Sequence, residues 1–294
     1  MPAGTLRRPG LASDAEVLDR VHRVLGPVEL LDDVSVRPQV CRILKIETRS
    51  GEQSFVKWYA KASDFQRECD ALTLYTPALG TDVPRLIAED EALQMVLISR
   101  VPGEIAVDSD VQWDPVVHYR AGVLIRRLHE ASPPVVSDQF GRQSAQRFED
   151  AVSQLEGKVE SSLLAEARLQ VAGAMDVPQV ALVPTHRENH PRHWVIDPGG
   201  HVRIIDFGMC EYDPWIVDVF PLEQDYWRVD PHLQIAFLEG YDREITDGDI
   251  ALLRAHHAVS AVQGLVAASA QGAKKEHKLR ARDMFDRLIG HTLF

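Results

Sequence analysis

The sequence predicts an α+β chain in two parts: a small, strand-rich N-terminal lobe over residues 1–100 and a larger, mainly helical lobe over residues 101–294. Two observations carry this. Runs rich in β-branched and aromatic residues dominate the first hundred positions, whereas most of the remainder has apolar residues at helical spacing. Pro102 and Gly103 punctuate the change. With 294 residues, 45% hydrophobic and 26% charged, the chain can bury a sizeable core without disulfide or metal staples.

The elements follow in order. After a start expected to be flexible, DAEVLDRVHRVLG places Val17, Leu18, Val21, Val24 and Leu25 on one helical face and closes on Gly26. VCRILKIET and SFVKWYA, joined by RSGEQ, read as a β-hairpin. DFQRECDALTLYTPAL returns to the helical period through Phe65, Cys69, Leu72 and Leu74, and VPRLIAED with ALQMVLISRV gives two further strands. Beyond Gly103, DPVVHYRAGVLIRRLHEA predicts a helix ending before Pro133 and Pro134, and QRFEDAVSQLEGKVESSLLAEARLQVAGAM predicts another. Two short β runs then flank a turn at Pro198, Gly199 and Gly200, after which DPHLQIAFLEGY and GDIALLRAHHAVSAVQGLVAASAQ are again helical.

Charge narrows the partners. A net charge of −12, from 32 basic and 44 acidic residues, argues against a nucleic-acid or anionic-membrane surface, both of which call for clustered Lys and Arg. No apolar signal segment follows the first residues, and no uninterrupted apolar run approaches the roughly 20 residues of a membrane span, so a soluble, cytoplasmic protein is expected. Cys41, Cys69 and Cys210 lie far apart without metal-ligand spacing, as reduced thiols packed as small hydrophobes do.

Chemistry concentrates in two places. Lys57, inside the apolar run SFVKWY, either snorkels from an edge strand or finds a counter-charge, for which Glu68 on the following helix is the candidate. Further on, HRENHPRHW at 186–194 and IIDFG at 204–208 bring carboxylates and imidazoles onto a loop and hairpin. Phosphoryl transfer needs such parts: a base for an attacking hydroxyl, metal ligands for nucleotide phosphates and a lysine for charge.

Together these landmarks resemble the aminoglycoside phosphotransferase family, the small-molecule branch of the protein-kinase-like fold, whose catalytic loop reads H-G-D-x-x-x-x-N and whose metal loop reads I-D-[FW]-[GS]. Here stand His186, Arg187, Glu188, His193, Trp194, Val195, Ile196 and Asp197, then Ile205, Asp206, Phe207, Gly208, Asp213, Pro214 and Asp218. AGVLIRRLHE, FVKWYA and AFLEGYDR extend the likeness over about residues 30 to 245. The resemblance implies a two-lobed protein-kinase-like fold with a small antiparallel sheet in the first lobe. It implies transfer of the γ-phosphate of ATP or GTP, with Mg²⁺, to a hydroxyl of a small-molecule antibiotic. Lys57 becomes the phosphate-binding lysine, Glu68 its helix partner, Asp206 the chief magnesium ligand, and Ser99, Arg100 and Val101 the hinge that meets the nucleotide base.

The departures from that pattern are specific. Glu188 stands for the usual Asp and lengthens the base by one methylene while keeping a carboxylate. His193 stands for the metal-binding Asn, an imidazole where magnesium favours oxygen. It is read as a second metal-site or substrate ligand, and His186, His190 and Arg187 as acceptor-side candidates. Pro191 breaks any helix here, so the three histidines lack the helical zinc-protease arrangement. The segment LDDVSVRPQVCRIL holds no glycine where a phosphate-covering loop is expected, leaving Ser35 and Arg37 as donors.

Between Asp206 and Asp249, twelve carboxylates face two arginines. Such a run is ordinarily a solvated face; on the acceptor side of a cleft, Asp213 included, it would concentrate a cationic acceptor such as an aminoglycoside or a basic peptide antibiotic. Trp194, Trp215, Tyr226 and Trp227 offer flat faces, which suit a nucleoside antibiotic equally and serve a core without any ligand. Two other readings share these residues: a kinase-like protein that captures nucleotide or drug without transfer, and a metabolic kinase for a sugar or amino alcohol.

Overall fold

The computed structural model describes residues 11–155, 159, 161–269, 279 and 282–287. In chain order the first elements are α1 (Asp14–Leu25), β1 (Val28–Asp33), β2 (Cys41–Thr48), β3 (Gln53–Tyr59), α2 (Ala62–Asp70), β4 (Leu86–Asp90), β5 (Met95–Ser99) and β6 (Glu104–Ile105). There follow α3 (Pro115–His129), β7 (Val135–Ser137), α4 (Phe140–Ser153), α5 (Ser161–Gly173), β8 (Val180–Thr185), β9 (Trp194–Ile196) and β10 (Val202–Ile204). The last are β11 (Glu211–Pro214), α6 (Phe220–Leu222), α7 (Pro231–Tyr241) and α8 (Asp247–Ser269).

The chain forms two compact units, and the division is not a single cut at residues 100–103. Unit 1 takes Met1–Gln112 and also Leu124–Ser132 and His190–Glu211; unit 2 takes Trp113–Val123, Pro133–Asn189 and Tyr212–Phe294. The second half of α3 and the β9–β10 hairpin thus pack with the strand-rich part, a return of the chain that periodicity does not reveal.

Unit 1 is built on a five-stranded antiparallel sheet of order β1-β2-β3-β5-β4. Its apolar face is covered by α1, whose Val17 and Val21 pack on Leu44, Ile46, Val56, Trp58, Met95 and Leu97. Ser13 and Glu16 close a capping box at the start of α1 and Gly26, at a φ of 76°, ends it. Trp58 Nε1 donates to the Ala12 carbonyl at 3.0 Å, tying the segment before α1 to β3. A second sheet, β10-β9-β6, completes the unit. Gly103 precedes β6 at a φ of 121°, and a Cβ there would lie 2.6 Å from the Ile196 carbonyl oxygen of β9, so the approach requires glycine.

Several expectations change on inspection. The helix expected through residue 79 ends at Asp70 and passes into a wider turn at Ala71–Tyr75 and a tight one at Thr76–Asp82. Thr73 and Thr76 bond back to the carbonyls of Cys69 and Leu72, and Pro77 lacks the amide a helix needs. The long helix expected from residue 146 is two helices, α4 and α5, with residues 156–158 and 160 outside the described residues. Residues 1–10, where a flexible start is expected, and Ala270 and Gln271, the end of the last predicted helix, also lie outside them. Strands β1, β6, β7, β8 and β11 lie outside the expected set; β1 alternates neither in sequence nor in burial, being exposed over most of its length.

Unit 2 packs α4, α5 and α8 around Phe148, Leu164, Val171, Val262 and Phe285. Helix α8 is long and apolar enough to cross a membrane by length and composition, and its buried face accounts for that apolarity here. The sheet β11-β8-β7 lies in the same unit. Helix α7 meets the start of α3 through two glycines: a Cβ on Gly240 would lie 2.0 Å from the Tyr119 carbonyl oxygen, and one on Gly122 would lie 2.2 Å from that of Phe237. In an ordinary helix interior Gly→Ala is stabilising by about 1 kcal/mol. Here Gly240→Ala is expected to destabilise by about 2 kcal/mol or more, as overpacking does, measured as a lowered urea midpoint at unchanged slope.

Candidate functional site

In unit 1 the site begins with Lys57 in β3, the middle strand of five. Its register neighbours are Ile43 on one side and Val96 on the other, so it is not on an edge and does not snorkel to bulk water. The side chain is 5% exposed, and its ammonium donates to Glu68 at 2.8 Å and to Asp206 Oδ1 at 2.7 Å. Burial opposes the ammonium, but the attraction of Asp206 and Glu68 outweighs it and holds the Lys57 pKa above its ordinary value. Burial likewise pushes the Glu68 carboxyl up, against the pull of Lys57 and a hydrogen bond from the Phe207 amide. Breaking such a triad from one side leaves an uncompensated buried charge, a cost of roughly 3–5 kcal/mol.

Two loops are fixed around this ion cluster. Arg67, beside Glu68 on α2, donates to the Gly208 carbonyl at 3.2 Å and so anchors the turn after Asp206. Asp206 itself sits in the left-handed region at a φ of 70°, a strained position for a side chain other than glycine. From the other direction, His193 Nε2 lies 3.6 Å from Asp206 Oδ2. The His193 backbone is bonded on both sides, its N–H to the His190 carbonyl at 2.8 Å and its carbonyl to the Ile205 N–H at 3.0 Å. His190 Nδ1 accepts from the Arg192 amide and caps the turn Pro191–His193, with its ring 5.1 Å from that of His193.

Lys57 and Asp206 line one side of a cavity of about 430 Å³, whose other walls include Ile43, Phe55, Ile98, Val101, Ile105 and Val195. Apolar walls with a few convergent polar groups are the usual make-up of a small-molecule site. Along the predicted hinge, the Ser99 N–H donates to the Arg85 carbonyl and the Arg100 N–H to that of Gln53. Among the described residues, Val101 is the hinge position with no such backbone bond. The loop between β1 and β2 is held without glycine: Ser35 Oγ accepts from the Ile43 amide at 2.8 Å and donates to Asp33 at 2.5 Å. That hydroxyl, expected as a phosphate donor, is therefore engaged in shaping the loop.

In unit 2 the segment 186–189 follows β8 and is held by a residue to which the sequence reading gave no role. Asp218, fully buried, accepts from the backbone N–H of His186 at 2.8 Å and of Arg187 at 2.5 Å, and the Asn189 side-chain amide donates to the Asp218 carbonyl at 3.1 Å. The signal was its place twelve residues beyond Asp206; two successive amides aimed at one carboxylate are not visible in a sequence. Arg187 adopts a φ of 66°, a conformation for which glycine is the easy residue, and its Nε bonds Asp213 Oδ2 at 2.9 Å. Glu188 is half-buried.

Burial corrects part of the acceptor-side set. Trp194 is 0% exposed inside unit 1, and Trp227 and His186 are 3% and 0% exposed inside unit 2, so none of them presents a face to an acceptor. Asp213 is buried against Arg187. The acidic wall also thins. Asp218 holds backbone amides, Glu223 is buried with its Oε2 3.1 Å from His257 Nε2, Asp249 accepts from Trp215 and Thr246, and Asp230 caps α7. Half of the run is thus internal wiring rather than a field-generating surface.

Over residues 43–256, well over half of the chain, the sequence matches the model of the phosphotransferase enzyme family, APH, and the chain belongs to that family. It is a phosphotransferase with an alcohol group as acceptor, and its fold is the two-lobed, α+β protein-kinase-like one. Solved structures agree on the fold. The GDP complex of wild-type aminoglycoside 2'-phosphotransferase-IIIa has a TM-score of 0.68 at 14% identity, covering 95% of this chain and 98% of its own. The apoenzyme of macrolide 2'-phosphotransferase MphH from Brachybacterium faecium has a TM-score of 0.64 at 14% identity, covering 93% and 97%. The streptomycin-ATP-APH(2")-IIa ternary complex has a TM-score of 0.66 at 11% identity, covering 95% and 99%. No curated protein matches the sequence.

Because a carboxylate that serves two backbone amides is replaced by neither solvent nor an apolar side chain, Asp218→Ala is expected to cost about 2–3 kcal/mol in urea unfolding. Phosphotransfer is expected to fall with it, since the segment carrying Glu188 loses its anchor.

Proposed function

We propose that this protein moves the γ-phosphate of a nucleoside triphosphate onto a hydroxyl of a small-molecule antibiotic. The observation that carries the reading is the buried Lys57 ammonium, held between Glu68 and Asp206 and lining a mostly apolar cavity. Membership of the phosphotransferase family supports the reaction class. Relatives of the same fold, solved with GDP or with streptomycin and ATP, support the donor and the acceptor class. A nucleoside triphosphate as donor supports a cytoplasmic location.

The chain's own residues account for the steps. The nucleotide base enters the cavity beside Val101, whose backbone is the hinge position for it. Lys57 neutralises phosphate charge, and Glu68 keeps its ammonium in place. In a loose transition state, where charge spreads over the transferring oxygens, positioning and electrostatics supply most of the catalysis. Glu188 takes the proton of the acceptor hydroxyl; the new bond forms between that oxygen and the γ-phosphorus, the bond to the bridging oxygen breaks, and the nucleoside diphosphate leaves. Glutamate in place of aspartate reaches one methylene further for that proton. Asp206 would hold the divalent cation that accompanies the nucleotide. The donor set beside it does not suit the magnesium expected from the family pattern, because its neighbour is an imidazole.

The acceptor remains a cationic aminoglycoside or basic peptide, or a nucleoside. The exposed residues of the acidic run, Glu211, Asp225, Glu239, Asp242, Glu244 and Asp247, are fewer than the sequence count promises. The test is mass spectrometry of an acceptor panel incubated with ATP or GTP and a divalent cation. A gain of one phosphoryl group on one acceptor, reduced about a hundred-fold or more in Glu188→Gln and Asp206→Asn, is the expected outcome. Tight nucleotide or drug binding with no mass gain on any acceptor would replace the enzyme with a capture protein.

A further inference from the structure

The phosphotransferase reading leaves His193 as an imidazole beside the carboxylate that faces the nucleotide. Three features make it a built ligand. It is 7% exposed, its backbone is fixed on both sides, and its Nε2 points at Asp206 Oδ2 from 3.6 Å. That separation is less than twice a metal–ligand bond of about 2.1 Å, so one ion can bind both atoms with little rearrangement. Asp206 Oδ1 is meanwhile bonded to Lys57 at 2.7 Å, which turns the other oxygen toward the imidazole.

We infer that His193 Nε2 and Asp206 Oδ2 form a mixed nitrogen–oxygen site that selects a first-row transition divalent cation over magnesium, and this inference rests on the phosphotransferase reading. Magnesium is a hard ion that keeps oxygen and water around it in strict octahedral geometry at about 2.0–2.1 Å. An imidazole nitrogen adds little affinity for it and displaces a water it would retain. Mn²⁺, Co²⁺ and Zn²⁺ accept nitrogen and oxygen together, and their affinities for mixed sites differ from that of magnesium in the direction the ligand set dictates. The asparagine expected at position 193 would offer a carbonyl oxygen and no such preference.

The experiment uses the full chain and Mn²⁺ as probe, with MgCl₂ as competitor, in the presence of ADP. Free and bound Mn²⁺ are separated by electron paramagnetic resonance, and pulsed measurements on the bound ion read coupling to nitrogen. In the wild type, bound Mn²⁺ is expected to carry imidazole nitrogen coupling. His193→Asn is expected to abolish that coupling and to shift the Mn²⁺:Mg²⁺ affinity ratio toward magnesium by about ten-fold or more. The coupling in the wild type needs no variant and stands even where His193→Asn fails to fold. Bound Mn²⁺ without nitrogen coupling, or a ratio unchanged in the variant, overturns the inference while ADP binding leaves the phosphotransferase reading intact. Failure of the wild type to bind either ADP or Mn²⁺ overturns both.

Discussion

A lysine ammonium buried in the middle of a sheet is the constraint on which unit 1 depends. Lys57 cannot reach bulk water from β3, so the fold must bring it counter-charge, and it brings two carboxylates from 11 and 149 residues away. That requirement sets where α2 lies over the sheet, since Glu68 must face Lys57. It also sets where the loop after β10 returns, since Asp206 must reach the same ammonium. Arg67 and the Phe207 amide tie these two elements to each other, so the cluster is a joint as well as a charge site. An interior ion cluster of this kind contributes little net stability compared with apolar packing. Its place beside an apolar cavity is what the proposed phosphate-binding role explains.

The same economy runs through unit 2, where charge is used to hold backbone in unusual shapes. Arg187 adopts a conformation that favours glycine, and two interactions compensate: Asp218 receives its amide and Asp213 its guanidinium. A glycine would need neither partner for its conformation. The arginine gains a fixed guanidinium next to Glu188 in sequence.

Much of this was legible from residue order. The apolar run around Lys57, the helical spacing that carries Glu68 and the IIDFG signature with Asp206 mark these three residues in the sequence, and the structure brings them together. The turn at Pro198 to Gly200 is legible from its Pro-Gly-Gly composition, and Asp197 holds it by accepting from the Gly199 and His201 amides, a local device. What stayed hidden was non-local. The return of residues 190–211 to the strand-rich unit and the glycine contact between α3 and α7 depend on partners over a hundred residues distant. Composition also misled: twelve carboxylates suggested a wall, yet Asp218, Glu223 and Asp249 face inward because each satisfies a specific buried donor. Trp194 and Trp227 read as stacking faces for the same reason, since a sequence lists aromatic residues without saying which side of the surface they occupy.

The central claim is that the Lys57 ammonium, held by Glu68 and Asp206, is where the nucleotide phosphates bind. Calorimetric titration of the wild type and of Lys57→Met with ATP and GTP tests it most directly, with circular dichroism confirming that the variant is folded. The account predicts micromolar-range binding of at least one nucleotide by the wild type and a loss of about ten-fold or more in the variant, the worth of one charge-assisted contact to phosphate. Equal affinity in a folded Lys57→Met variant would contradict it, and would leave the buried ion cluster as a structural device alone.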